Sequence, residues 1–412
     1  MSGLLADGFP RAQVRRRALS GPAAVFPADG YGRAVFGGTG VVPDADELDR
    51  ARLVPPVFTP DRFAKLVDLG REPSYLDVDL ETDVGGFRSA LPVYVSALGS
   101  TDVAAEHGDA VARQAAAAGV VLVVGENVTV AGGYRGAGSL VQRIETYLLA
   151  GKPDLGGVVV QQSMEDADAE VWNHLYSDPV AADLLDAGRL GFELKIGQGA
   201  KPGLGGMTVL RRTDTARLHG QYLVDPEALS DEDVVLRSAT PGTFTEEILR
   251  GQIRLMRNNF PRAKVWVKLP PVRDVAIAAG VAWAEGADAV TVDGAEAGTG
   301  WAPTSFLDHV GLPLAECLRR IGASPPGCLL TSGRMWEGAR AVKAIAGGAR
   351  AVGLGRAALL AVEASATDGL LNLLRCMEVE LRMLTSALGR YAVSGLSAED
   401  VWPSRHSGGG AR

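Results

Sequence analysis

The sequence predicts an α/β protein, a (β/α)8 TIM barrel carrying an N-terminal arm and a C-terminal helical extension. Three observations carry that expectation. Eight short apolar runs alternate with helix-patterned segments between Leu91 and Ala361. The runs are continuously apolar, as strands buried on both faces of a parallel sheet must be. Their span is close to the roughly 250 residues typical of such a barrel. A doubly wound sheet is the runner-up, but it more often breaks at a domain boundary, and none is visible inside this span.

Taken in order, residues 1–90 are rich in Pro, Gly and Asp, lack sustained periodicity and read as an arm packed on the barrel. Within them Arg15-Arg16-Arg17 reads as a solvated surface turn. Thr59 and Pro60 read as the cap and first position of a short helix. The barrel occupies 91–365. Its expected strands are Pro92–Ala97, Val120–Val124, Gly157–Val160, Gly191–Ile196, Val265–Leu269, Ala289–Val292, Cys328–Thr331 and Ala351–Gly353. Between them fall an Ala-rich helix from Asp102 to Ala118, ended by Gly119, and further helices at 245–258, 274–286 and 336–346. Residues 207–243 read as a long irregular stretch, the kind that usually serves as a lid or is disordered. In 366–412, Leu370, Leu373, Leu374, Met377, Leu381, Leu384 and Leu388 follow helical spacing, with Thr367 as cap and Gly389 as stop. A flexible tail is expected beyond about residue 403.

Composition narrows the function classes. At 412 residues and 47% hydrophobic, the chain can bury one large core or two ordinary ones. A net charge of −8 disfavours nucleic acid as a partner. Three cysteines, Cys317, Cys328 and Cys376, have no metal-ligand spacing and suit a reducing, cytoplasmic setting. The start of the chain lacks a signal-peptide pattern, and no apolar run is long enough to span a membrane.

The chemistry of a barrel belongs at the C-terminal ends of its strands. Polar residues gather there: Ser96, Glu126, Gln161 and Gln162, Lys195 and Gln198, Lys268, Asp293, Ser332. After the fourth strand, Lys195-Ile-Gly-Gln-Gly-Ala-Lys-Pro-Gly-Leu-Gly-Gly206 sets five glycines among two lysines and a glutamine. Such a backbone comes close to a ligand, and its side chains suit an anion or a carbonyl-rich cofactor. Ser332-Gly333 and Gly353-Leu-Gly-Arg356 stand at strands seven and eight, where barrels commonly bind phosphate. The second runs into a helix, whose N-terminal amides favour an anion, and Arg356 can add a charged contact. Lys268 ends a very apolar strand and is expected to point inward, with Val267 and Leu269 facing the helix layer. There its charge suits the electron-rich edge of a bound cofactor.

Several of these segments resemble the FMN-binding synthase domain of the glutamate synthase family. Gln198-Gly-Ala-Lys-Pro-Gly-Leu-Gly-Gly206 is similar to its signature after a strand. Asp293-Gly-Ala-Glu-Ala-Gly-Thr-Gly-Trp-Ala-Pro303 resembles its Asp-Gly-x-x-Gly-Gly-Thr-Gly-Ala-x-Pro loop, and Asp308-His-Val-Gly-Leu-Pro313 its next segment. Val95-Ser-Ala-Leu-Gly-Ser100 and Gly125-Glu126 are similar to two further motifs. The resemblance spans roughly Pro92 to Val362, in order. It implies FMN as cofactor, and Glu126, Lys195, Gln198 and Lys201 as residues that hold a 2-oxo acid and imine over the flavin. Gly294, Gly298, Thr299, Gly300, Gly333, Gly353 and Gly355 resemble the FMN-contacting loops. Ser96, Ala97, Gln162, Lys268, Asp293, Ser332 and Arg356 complete the expected cofactor site.

The chain also departs from the pattern. Met207 stands where the family has a glutamine, and Ser238-Ala-Thr-Pro-Gly-Thr-Phe244 replaces its Pro-rich segment with His-Asp. Arg211 or Arg212 is the candidate for the substrate arginine. Glu363-Ala-Ser-Ala-Thr-Asp368 carries none of the family's cysteine triplet, so no metal site and no iron–sulfur cluster is expected. An amidotransferase domain with an N-terminal cysteine is likewise not seen. The resulting expectation is an FMN-dependent oxidoreductase acting on an amino acid or imine, with an electron-donor protein as a possible partner and homo-oligomerisation possible. The competing readings are an FMN-dependent hydroxy-acid oxidase, an isoprenyl isomerase-like barrel, and a non-catalytic partner subunit.

Overall fold

A computed structural model of the protein describes residues 4–27, 46–99, 101–125, 134–135, 138–163, 170–197, 207–212, 223–225, 227, 231–238, 244–299 and 302–403. Eight parallel strands close into a barrel: β1 (Val93–Leu98), β2 (Val121–Val124), β3 (Val158–Ser163), β4 (Leu190–Lys195), β5 (Lys264–Leu269), β6 (Ala289–Asp293), β7 (Cys328–Ser332) and β8 (Ala351–Leu354). Each pairs with its neighbour in sequence, and β8 closes on β1. All eight lie within a residue or a few of the expected runs.

Alternation along each strand sorts the side chains into two cores. Tyr94, Val121, Val123, Val159, Trp266, Ala289, Leu330 and Ala351 fill the barrel interior. Val93, Leu122, Val158, Leu190, Val265, Val290, Leu329 and Val352 face the surrounding helix layer. Among the helices are α1 (Arg11–Ser20), α2 (Asp102–Ala118), α3 (Leu140–Ala150), α4 (Glu246–Asn259), α5 (Val275–Ala284), α6 (Gly338–Ala346), α7 (Arg356–Ala364) and α8 (Gly369–Ala387). Thr101 caps α2 through the Ala104 amide, and Gly119 ends it in the left-handed region, φ 72°.

The N-terminal segment carries more regular structure than the one short helix expected of it. Thr82–Val84 and Phe87–Ser89 form a hairpin that closes the N-terminal end of the barrel. Gly85 and Gly86 turn it with φ of 60° and 92°, a conformation few other residues accept. A Cβ on Gly85 would lie 2.5 Å from the Trp266 ring, whose Nε1 donates to the Gly85 carbonyl at 2.9 Å.

Arg15-Arg16-Arg17 is not a solvated turn: the three lie in α1, which docks on α7 and α8. Arg17 is buried and donates twice to the Glu380 carboxylate, at 2.8 and 2.5 Å, while Arg15 pairs with Glu363 at 2.8 Å. The helix Pro60–Leu69 begins at Pro60 as expected, though Thr59 makes no side-chain cap bond. At α8 the cap position belongs to Asp368 instead of Thr367, one residue later than expected. Part of the stretch read as irregular is a three-stranded antiparallel sheet, Met207–Arg211, Leu223–Asp225 and Val234–Ser238. Its strands are too short and too mixed in character for periodicity to reveal them.

Candidate active site at the C-terminal rim of the barrel

Above the apolar floor, the inward positions of the strands turn polar. Gln161, Glu193 and Thr291 form a middle tier, and Ser96, Lys195, Lys268, Asp293 and Ser332 stand beyond it; all eight are buried. The register explains the grouping: Lys268 lies opposite both Lys195 and Thr291, and Asp293 opposite Ser332. Lys268 Nζ sits 3.0 Å from Asp293 Oδ2, and the Ser332 hydroxyl donates to Asp293 Oδ1. Lys268 therefore points inward, with Val267 and Leu269 in the outer core as expected.

Beneath this group, Glu193 is 1% exposed. Gln161 Nε2 donates to one of its carboxylate oxygens at 2.5 Å, and the Thr291 hydroxyl to the other. Burial pushes its proton affinity up, Lys268 and the two donors offset part of that, Asp293 adds to it, and the net shift is upward. One partner on each oxygen leaves room for the ionised form, which accepts at both.

The first strand is irregular where it reaches the rim. Between Val95 and Leu98 it holds one residue more than β2 does between Leu122 and Val124, a bulge at Ser96-Ala97. Bulges re-aim side chains next to sites. Here Ala97 packs on the interior cluster, and Ser96 Oγ is buried without a well-formed hydrogen bond. A Cβ on Gly353 would lie 2.1 Å from Ser96 Oγ, so the close approach of β8 to β1 requires glycine there.

The loops after β6, β7 and β8 are bound to one another. The Gly294 amide donates to the Ser332 carbonyl at 2.9 Å. Gly298 lies against Arg356, where a Cβ would come within 2.9 Å of Cγ. Arg356 Nη2 donates to the Glu296 carbonyl at 2.5 Å, and its guanidinium lies 4.6 Å from the Phe9 ring centre. Burial first, and then Arg334, lower its pKa to about 10. Gly355 is the N-cap of α7, and a Cβ there would meet nothing within 4 Å.

Arg340 of α6 ties these loops to the N-terminal segment. Fully buried, it donates to the Gly333 carbonyl at 3.0 Å, to Glu296 Oε1 at 2.8 Å, and to Asp46 and Asp49 at 2.7 Å each. Burial pushes the Glu296 carboxyl up to about 7 against the pull of Arg340.

Of the residues expected at the site, Ser96, Ala97, Lys195, Lys268, Asp293, Gly294, Gly298, Thr299, Ser332, Gly333, Gly353, Gly355 and Arg356 all lie at or just beyond the C-terminal strand ends. Gln162 also ends a strand, but it follows the alternation of Val158 and Val160; its neighbour Gln161 is the glutamine of the interior. Glu126, Gln198, Lys201 and Gly300 lie outside the described residues. Arg211 is described only in its backbone, and Arg212 is exposed, with Nε donating to the Glu232 carbonyl at 2.6 Å. Glu193, Thr291 and Arg340 were missed. For Glu193 a signal exists: it stands two residues before Lys195 in an otherwise apolar strand, so both share one face. No local pattern marks Arg340, whose partners are up to 294 residues away.

A barrel with this rim defines a class. Residues 231–389 match the model of the conserved region in glutamate synthase, so this part of the barrel is similar to that family. Among curated relatives, the archaeal-type glutamate synthase (NADPH) of Thermotoga neapolitana is 36% identical over 197 residues, 44% of this chain and 36% of the relative. The archaeal glutamate synthase (NADPH) of Methanocaldococcus jannaschii is 36% identical over 179 residues, covering 41% and 34%. The glutamate synthase large subunit-like protein of Rhizobium meliloti is 31% identical over 180 residues, covering 41% and 39%. The chain thus spans little more than a third of the length of these relatives.

Solved structures agree on the fold. A soluble mutant of the membrane-associated (S)-mandelate dehydrogenase from Pseudomonas putida aligns with TM-score 0.55 at 20% identity, covering 96% of this chain and 99% of that one. A mandelate oxidase variant with a monooxide FMN adduct aligns with TM-score 0.52 at 19% identity, covering 87% and 89%. No helix among the described residues is long and apolar enough to cross a membrane.

Proposed function

We propose that the rim binds FMN and that the protein is an FMN-dependent oxidoreductase, passing a hydride between the flavin and an amino or imino acid. The observation that carries this reading is the buried Lys268–Asp293–Ser332 group set beside the glycine loops of β6, β7 and β8. The residues fit the cofactor on two counts. Ser96 Oγ is a buried polar atom without a well-formed hydrogen bond, beside the Tyr94 hydroxyl at the close approach of Gly353. The space beside Gly355 leaves the N-terminal amides of α7 approachable, a natural place for a phosphate.

When bound, FMN supplies the hydride-accepting and hydride-donating ring. Lys268 would offer the reduced ring a cation, and Asp293 with Ser332 holds that cation still. Lys201 or Lys195 binds the substrate carboxylate, Gln198 orients it, and Glu126 moves a proton to or from the substrate nitrogen. The relatives named as glutamate synthases support this substrate class. An electron-donor protein or a diffusing reductant completes the cycle, and association into homo-oligomers is compatible with it. The hydroxy-acid reading is weaker, because β6 ends in an aspartate engaged with Lys268 and is followed by Gly294-Ala-Glu-Ala rather than a histidine base.

The test is direct. Cofactor released by heat from purified protein should run as FMN on chromatography, and amino acids rather than 2-hydroxy acids should bleach the yellow protein without air. Release of NAD, or of nothing, overturns the cofactor; bleaching by hydroxy acids alone overturns the substrate class.

A further inference from the structure

We propose that Glu193 is a potential-setting residue: a fixed negative charge beneath Lys268 that limits the positive field at the rim and thereby holds the flavin potential down. The inference rests on the FMN reading above, though not on any choice of substrate. Glu193 is buried at the centre of β4, on the same face as Lys195. Its two oxygens are occupied by Gln161 and Thr291, from the strands on either side of the β4–β5 pair. Neither donor carries a charge, so the carboxylate is oriented without being neutralised. The register sets it one inward position below the Lys195–Lys268 pair, which is its link to the rim.

Stability offers no reason for an ion at this depth. A well-packed apolar side chain is commonly as stable as a buried charge with its partners. The charges of the two tiers balance instead: Lys195 and Lys268 stand against Glu193 and Asp293. Asp293 is committed to Lys268 and Ser332 at the rim itself. Glu193 is the remaining negative charge among the described residues of these tiers, and removing it leaves the rim with a net positive charge in a medium of low dielectric. A reduced, anionic flavin is then favoured over the oxidised ring. Glu193 touches neither cofactor nor substrate in this scheme, and acts through Lys268 as a positioning residue.

The experiment is a redox titration of FMN-loaded wild type, Glu193→Gln and Glu193→Asp against indicator dyes. Gln keeps the shape and removes the charge; its midpoint potential should shift clearly positive, with FMN affinity changed less than about tenfold, a span of 1.4 kcal/mol. Asp keeps the charge and should stay near wild type. An unmoved or more negative potential in Glu193→Gln overturns the proposal, as does an equal shift in both variants, which would make the effect one of shape. If Glu193→Gln does not fold, Glu193→Met carries the same expectation; failure of both to fold shows a structural role and also overturns it. A colourless wild type would instead defeat the FMN reading, so the two failures are distinguishable.

Discussion

Replacing Lys268 by methionine isolates the central ion pair of the rim. The lysine and aspartate side chains are 5% and 3% exposed, with Nζ and Oδ2 at 3.0 Å. Removing one partner of a buried pair costs roughly 3–5 kcal/mol, because the other charge is left uncompensated. Asp293 keeps its bond from Ser332, which places the expected loss at the lower end, about 3 kcal/mol. Removing both charges, in Lys268→Met with Asp293→Asn, takes away the uncompensated ion and should recover most of that loss, to within about 1 kcal/mol of wild type. Urea unfolding of the cofactor-free protein, followed by circular dichroism, yields the four free energies of the cycle. The single variant should also lose FMN affinity, since its cation is gone. A double variant no more stable than Lys268→Met would refute the reasoning, because the cost would then lie in packing and not in the stranded carboxylate.

Two further perturbations test the frame around the site. Gly85→Ala should destabilise the protein by about 2 kcal/mol or more, combining the cost of φ near 60° with a Cβ pressed on Trp266; unchanged urea stability would mean the hairpin does not seal the barrel. Glu337, its carboxyl pushed up to about 7 by burial and then by Glu380, binds protons more tightly folded than unfolded. Its contribution to stability is therefore present below the unfolded carboxylate value and lost as pH rises toward 7. Glu337→Gln should flatten that decline and add about 1–3 kcal/mol at pH 8; parallel stability–pH curves for the two proteins would count against it.

The local features of the barrel were legible in the sequence. Continuous apolar runs marked all eight strands, and Ala-rich spacing with Gly119 marked α2 from Asp102 to Ala118. Alternation was enough to turn Lys268 inward, because a strand's faces are set by the chain itself. Pairings between distant residues were not legible. The hairpin at Gly85 meets Trp266 across 181 positions, and Arg17 meets Glu380 across 363. Arg17 belongs to a charge run in sequence and becomes a buried anchor only because α8 brings a carboxylate to it. Glu193 shows the same division within one residue: its face follows from its spacing to Lys195, whereas its donors come from Gln161 and Thr291 on other strands. Side-chain direction follows from neighbouring dihedrals, which the sequence determines locally. The partner of a buried charge depends on barrel closure, which the tertiary structure alone decides.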